Sequence, residues 1–180
     1  MDQLPGKPLF MPSQISRHQN ETAREVLQQF RIIYGSMRQY FKDVEERCGL
    51  PGSHTWVLQE VERNPGIGVS ELAKRMGIHQ STSSLLVEKL VELSYLKKSR
   101  LKADMRRVGL ELRPLGRKAL AALPGPAEGI LPEALSLLPE VVLKTLNINL
   151  SELIEHLQKK DDTYANIPLA DIVSPPGRKE

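Results

Sequence analysis

A single glycine, Gly77, stands between two short helical patterns, VSELAKRM before it and QSTSSLLVEKLVELS shortly after. A glycine just past the last periodic residue supplies the left-handed backbone that ends one helix and turns the chain toward the next. The following segment, YLKKSRLKADMRRVGLEL, changes period: Val108, Leu110 and Leu112 alternate as in a strand, behind a turn that is polar and basic at its tip. Helix, tight turn, helix and basic hairpin, in that order and at that spacing, leave few architectures open.

The flanks are helical and longer than one small domain needs. Val26, Phe30, Ile33, Met37, Tyr40 and Val44 recur at steps of four and three, a seam along one long helix ending near Gly49 and Pro51. Asn20 is its expected N-cap, with Glu21 favoured by the dipole in the first turn. Ser53 is expected to cap a second helix that runs to Arg63, and Ser70 a third that runs to Met76. The fourth is expected over Gln80–Ser94, with Leu86, Leu90 and Leu93 inward and Ser81, Ser84, Leu85 and Glu88 outward. Helix resumes from Leu115 to Leu123, breaks at Pro124-Gly125-Pro126, and ends in a second seam of Leu143, Leu146, Leu150, Leu153 and Leu157.

These patterns predict a mainly α fold with a small β wing, a winged helix-turn-helix whose terminal helices form a dimerisation region. The expected divisions are a flexible arm over 1–19, a dimerisation helix over 20–50, the DNA-binding domain over 51–118, further dimerisation helices over 119–158 and a disordered tail over 159–180. Two matching seams at opposite ends of one chain favour pairing across a two-fold axis, with Val26, Phe30, Ile33 and the five leucines at the interface; packing within a monomer is the alternative.

The net charge of +3 is uneven. Residues 63–118 hold thirteen basic and five acidic side chains, an excess of eight, and the rest of the chain is correspondingly negative. A cationic middle on an anionic frame suits a polyanion partner. No apolar run approaches the ~20 residues of a membrane span, and the N-terminus lacks a signal-peptide pattern, so a cytoplasmic location is expected. Cys48 is the only cysteine, at an expected helix C-terminus where the dipole disfavours a thiolate, which argues against a redox switch. His18, His54, His79 and His156 are scattered, so no metal or other cofactor is expected. No nucleophile elbow, phosphate loop or metalloprotease motif is present, and no enzymatic activity is expected.

The chemistry expected of the centre is recognition of double-stranded DNA. Gln80, Ser81 and Thr82 place short hydrogen-bonding groups beside free backbone N–H groups at a helix start, suited to phosphate or base edges. Ser84 and Leu85 follow on the same face, where Leu85 can meet a thymine methyl, and Lys89 can reach a phosphate. Lys97, Lys98, Arg100, Lys102, Arg106 and Arg107 fall in the hairpin, where an arginine can enter the minor groove. Asp104 is expected to orient one of the arginines, or else simply to form the turn.

The stretch GVSELAKRMGIHQSTSSLLVEKLVELSYLKKS followed by ADMRRVGLELRPLGRKAL resembles the multiple-antibiotic-resistance regulator (MarR) family of bacterial winged-helix transcription factors, over residues 21–158. The resemblance implies a homodimer with interlaced terminal helices. It also implies that Ser81, Thr82, Ser84, Leu85 and Lys89 face DNA, with Arg106 and Arg107 at the wing tip. Three positions depart from the family pattern: Leu85 replaces a frequent cation, Ser94 replaces a helix-ending glycine, and Pro-Gly-Pro at 124–126 divides a helix often continuous. Members commonly bind small, often aromatic, anions between the dimer helices and the DNA-binding lobe; Met37, Tyr40, Phe41, His54 and Trp56 are the candidates for such an effector site, and core packing explains them equally well. The expected function is a sequence-specific transcriptional regulator, a repressor on a pseudo-palindromic operator, with a non-catalytic protein-interaction adaptor as the alternative.

Overall fold

The computed structural model describes residues 17–101 and 104–174, and the side chains of residues 17, 101 and 104–107 lie outside that description. The chain divides into two compact units, Met1–Gly35 and Ser36–Glu180. In the first, the described residues are the opening turns of helix α1 (Arg17–Cys48), where Val26, Phe30 and Ile33 are each about 40% exposed. Asn20 therefore lies inside α1 and does not cap it. A mid-helix Asn costs only part of a kilocalorie, too little to set the boundary.

The second unit contains the end of α1, then α2 (Gly52–Arg63), α3 (Val69–Met76), α4 (Gln80–Glu92), β1 (Leu96–Leu101), β2 (Asp104–Leu112), α5 (Pro114–Ala121), α6 (Ile130–Ser136), α7 (Glu140–Glu155), a 3-10 turn (Asp162–Asn166) and α8 (Leu169–Val173). Neither expected serine caps its helix: α2 begins after Pro51 and α3 after Gly68, both without a side-chain cap. Ser53 is buried instead, its Oγ 3.5 Å from His54 Nδ1. Pro51 and Gly68 already enter with ψ near 155°, so the chain arrives extended and each helix starts two residues earlier than the serine pattern implied.

Gly77 performs as its position predicts. Its φ is +64°, Ile78 N–H donates to Ala73 C=O at 3.0 Å, and Gly77 N–H donates to Lys74 C=O at 3.2 Å. This paired closure satisfies the last carbonyls of α3 and aims the chain into α4. The end of α4 is built the same way without glycine: Ser94 takes φ +64°, Tyr95 N–H reaches Leu90 C=O at 2.8 Å, and Ser94 N–H reaches Val91 C=O at 3.0 Å. A left-handed residue with a Cβ costs about 1–2 kcal/mol, so tertiary packing holds this turn. Because α4 stops at Glu92, Leu93 falls in the closing turn and is 41% exposed, against the expectation that it faces inward.

β1 and β2 pair antiparallel from Leu96↔Leu112 to Arg100↔Val108, with an irregularity before Leu101↔Asp104. The α2–α3 connection joins this ribbon: Gly66 N–H donates to Leu110 C=O at 2.9 Å and Leu110 N–H to Ile67 C=O at 3.0 Å. A Cβ on Gly109 would lie 2.5 Å from Gly66 O, so the close approach requires glycine there. Leu110 and Leu112 turn inward but Val108 is 54% exposed, because the ribbon has left the core by that point.

The main core gathers Val44, Val57, Leu58, Leu72, Val87, Leu90, Leu96 and Leu110, all at most 1% exposed, from α1 to β2. A second, smaller cluster joins Met37 and Phe41 of α1 to Ala170 and Val173 of α8, flanked by Ile130 and Leu131 of α6. The segment expected as a disordered tail from Lys159 thus contains an ordered, partly buried helix. Pro124-Gly125-Pro126 does separate α5 from α6, and its loop has a partner: Tyr40 Oη donates to Pro126 C=O at 2.7 Å. α7 has no buried residue; Leu143, Leu153 and Leu157 are 39–54% exposed and Leu146 and Leu150 half-buried. Among the described residues no helix is long and apolar enough to cross a membrane.

Candidate nucleic-acid interface

The face of α4 is set by what the core takes. Leu86, Val87 and Leu90 are buried, and Ser83 is fully buried with its Oγ donating to Val69 C=O at 3.3 Å, which ties α4 to the start of α3. The opposite side is left to solvent: Gln80, Ser81, Glu88 and Lys89 are exposed, Thr82 and Ser84 half-buried, and Leu85 is 68% exposed. No side chain caps the first turn, so its backbone N–H groups remain open beside Gln80 and Ser81. Lys89 is partly engaged, its Nζ 3.0 Å from Glu92.

The hairpin's base is fixed by its own charges. Lys97 pairs with Glu111 at 2.8 Å, and the Ser99 hydroxyl donates to the same carboxylate. Those two hydrogen bonds, Lys97 first, hold the Glu111 carboxyl below its usual range. Arg117 donates to Leu112 C=O at 3.2 Å and Arg113 to Ser94 Oγ at 3.3 Å, so two of the cations in the basic segment brace the hairpin. Lys98 and Arg100 project into solvent from β1. Lys102 lies outside the described residues, and so do the side chains of Arg106 and Arg107 and the Asp104–arginine pairing. The backbone of Arg106 and Arg107 belongs to β2, at the irregular part of the ladder.

Residues 49–107 match the model of the MarR family. Over that segment, from just before α2 into β2, the chain is similar to the MarR family. Similar solved structures include the MarR family transcription regulator SP03579, 12% identical, with a TM-score of 0.53 over 81% of this chain and 100% of that one. They also include YusO of Bacillus subtilis, 17% identical, with a TM-score of 0.49 over 77% and 98% of the two chains. A third is a MepR–DNA complex from S. aureus, 19% identical, with a TM-score of 0.49 over 80% and 98%. The likeness to SP03579 establishes the fold. No curated protein matches the chain.

In this chain the five candidate effector-site residues separate. Met37 and Phe41 are buried together, and Tyr40 sits beside them with its ring at 73° to that of Phe41 and 5.6 Å away. Burial pushes the Tyr40 phenol up to about 12, consistent with a proton committed to Pro126. Trp56 packs against the main core, and its indole N–H is buried without a partner. Burial first, then the charge of Lys89, holds the His54 imidazole below the usual range. Cys48 is buried, and burial raises its thiol. The sequence reading missed Gly66 with Gly109, Ser83, and the second half of the Met37–Phe41 cluster. The first two rest on backbone approach and burial, which composition does not encode, and the third on a helix too short for periodicity.

Proposed function

We propose that this chain is a sequence-specific, duplex-DNA-binding transcriptional regulator that works as a homodimer. The observation that carries the reading is the uncapped, uncharged first turn of α4, with Gln80, Ser81 and Leu85 turned away from the core beside a cationic hairpin. α4 enters the major groove, where Gln80, Ser81, Thr82, Ser84 and Leu85 meet base edges and the sugar-phosphate frame, and Lys89 meets a phosphate. Lys98 and Arg100, with Lys102, Arg106 and Arg107 nearer the tip, follow the adjacent backbone or minor groove. The match of residues 49–107 to the MarR family model supports the same reading.

A second copy covers the apolar seams at Val26, Phe30 and Ile33 and at Leu143, Leu146, Leu150, Leu153 and Leu157, which one chain leaves largely open. Two recognition helices are thereby set about one DNA turn, ~34–36 Å, apart, matching a pseudo-palindromic operator. Occupancy of that operator represses, and a small aromatic or anionic effector releases it by favouring a different separation of the lobes. We assign no catalytic step, and the cytoplasm as the place of action.

Titration with genomic and random duplexes at two salt concentrations tests the proposal. Affinity should fall steeply with salt, by about 0.9 in log–log slope per phosphate neutralised, and genomic fragments should compete unequally. A protein-interaction adaptor would show neither behaviour.

A further inference from the structure

The seat of α8 is shaped around its occupant. Phe41 of α1 lies against the first residue of α2, Gly52, where an added Cβ would meet Phe41 Cδ1 at 2.4 Å and Ala170 Cβ at 2.8 Å. On another side Gly129, at φ +103°, would bring a Cβ to 2.7 Å from Phe41 Cζ. Two glycines and an alanine thus enclose one aromatic ring, and Ala170 and Val173 are each only 4% exposed. Nonspecific collapse of a tail does not require glycine at both contact points; a built seat does.

The route to the seat is loosely held. Residues 151–165 are all exposed, and the 3-10 turn is stabilised locally by Asp161 accepting from Thr163 N–H at 3.0 Å. α8 itself has five residues, below the length at which a helix is stable alone. Its helical form therefore depends on the seat. Asp171 enters with it: burial raises the carboxyl, and a hydrogen bond from Ser53 works the other way.

We propose that residues 161–174 are a built-in, detachable occupant of the cleft between α1 and α2, which fixes the start of α2 against α1 and which a small aromatic effector must displace to enter. Met37 and Phe41, two of the candidates for an effector site, are covered in the structure by the chain itself. The link to effector control rests on the DNA-binding reading above; occupancy of the seat does not.

The test empties the seat in two ways: Ala170→Arg in the full chain, and a chain ending at Lys160. In the wild type, amides of 170–174 should exchange with solvent at least tenfold more slowly than those of 157–160, and the apolar probe 1-anilinonaphthalene-8-sulfonate should not bind. Both altered chains should keep the wild-type far-ultraviolet spectrum apart from the small contribution of α8 itself and bind the probe, and a synthetic peptide of residues 161–174 should expel it. Duplex affinity should change at least fivefold on emptying the seat. Absence of protection over 170–174 in the wild type overturns the proposal, as does probe binding by neither altered chain. If the probe and exchange results hold while the wild type binds no duplex, the occupant stands and the DNA-binding function fails. If an altered chain loses its helical spectrum, α8 is structural core and not detachable, which also overturns the proposal.

Discussion

Replacing Gly109 by alanine should detach the ribbon from the α2–α3 connection. The new Cβ would lie 2.5 Å from Gly66 O, 2.8 Å from Gly66 Cα and 2.9 Å from Gly66 C, all backbone atoms that no rotamer change can move. Ordinary contact begins near 3.4 Å, so the two segments must separate by most of an ångström. The hydrogen bonds Gly66 N–H to Leu110 C=O and Leu110 N–H to Ile67 C=O, now 2.9 and 3.0 Å, would then be stretched or lost. At about 0.5–1.5 kcal/mol each, with loosened packing of Ile67 and Leu110 added, the loss should be about 2–4 kcal/mol. Gly68→Ala is the control, since its Cβ meets only Val108 O at 3.9 Å and its φ is −85°; it should stay within about 0.5 kcal/mol of wild type. Urea unfolding followed by circular dichroism, with equal slopes for the three proteins, gives the comparison. If Gly109→Ala unfolds at the wild-type midpoint, the backbone contact does not organise the hairpin and the argument fails.

Ser94→Gly should stabilise the chain by about 1 kcal/mol, since it relieves the left-handed strain at φ +64° for the loss of one exposed contact from Arg113; a lower melting temperature would contradict this. Arg106→Ala should weaken duplex binding and reduce the salt slope by about 1 without altering the oligomeric state; normal operator binding would remove Arg106 from the wing contact. Leu146→Asp should dissociate the proposed homodimer on analytical ultracentrifugation, and an intact dimer would exclude that seam from the interface. The folded chain holds His54 neutral below its usual range, so the unfolded chain gains a proton that the folded one does not. The stability His54 confers should therefore be full above its ordinary value of 6.5 and fall as pH drops below it, and His54→Phe should lose that part of the pH dependence; an unchanged profile would refute it.

The outward face of α4 is legible because a core imposes a period on the helix. Leu86 and Leu90 define the inner side of α4, and the exposure of Gln80, Ser81 and Leu85 follows from them. Gly77 was legible because a left-handed turn between two helices names its residue. Helix starts were not: Asn20, Ser53 and Ser70 are good capping residues by type, yet the chain enters its helices earlier, and Ser53 is consumed by burial. Short residues serve caps, turns and cores alike, so identity alone does not say which. Ser94 shows the converse, a turn that survives the wrong residue because Leu90 and Leu96 anchor both sides at 0% exposure. α8 escaped because a five-residue helix has too few positions to display a period, and its two contacts come from residues far apart in the chain.

The chain has one tryptophan, and its indole N–H is buried beside the main core without a hydrogen-bond partner. An indole that water does not reach emits at shorter wavelength, and unfolding shifts that emission to the red. Trp56 is therefore an intrinsic optical gauge of the lobe carrying α4, readable at micromolar concentration without any label.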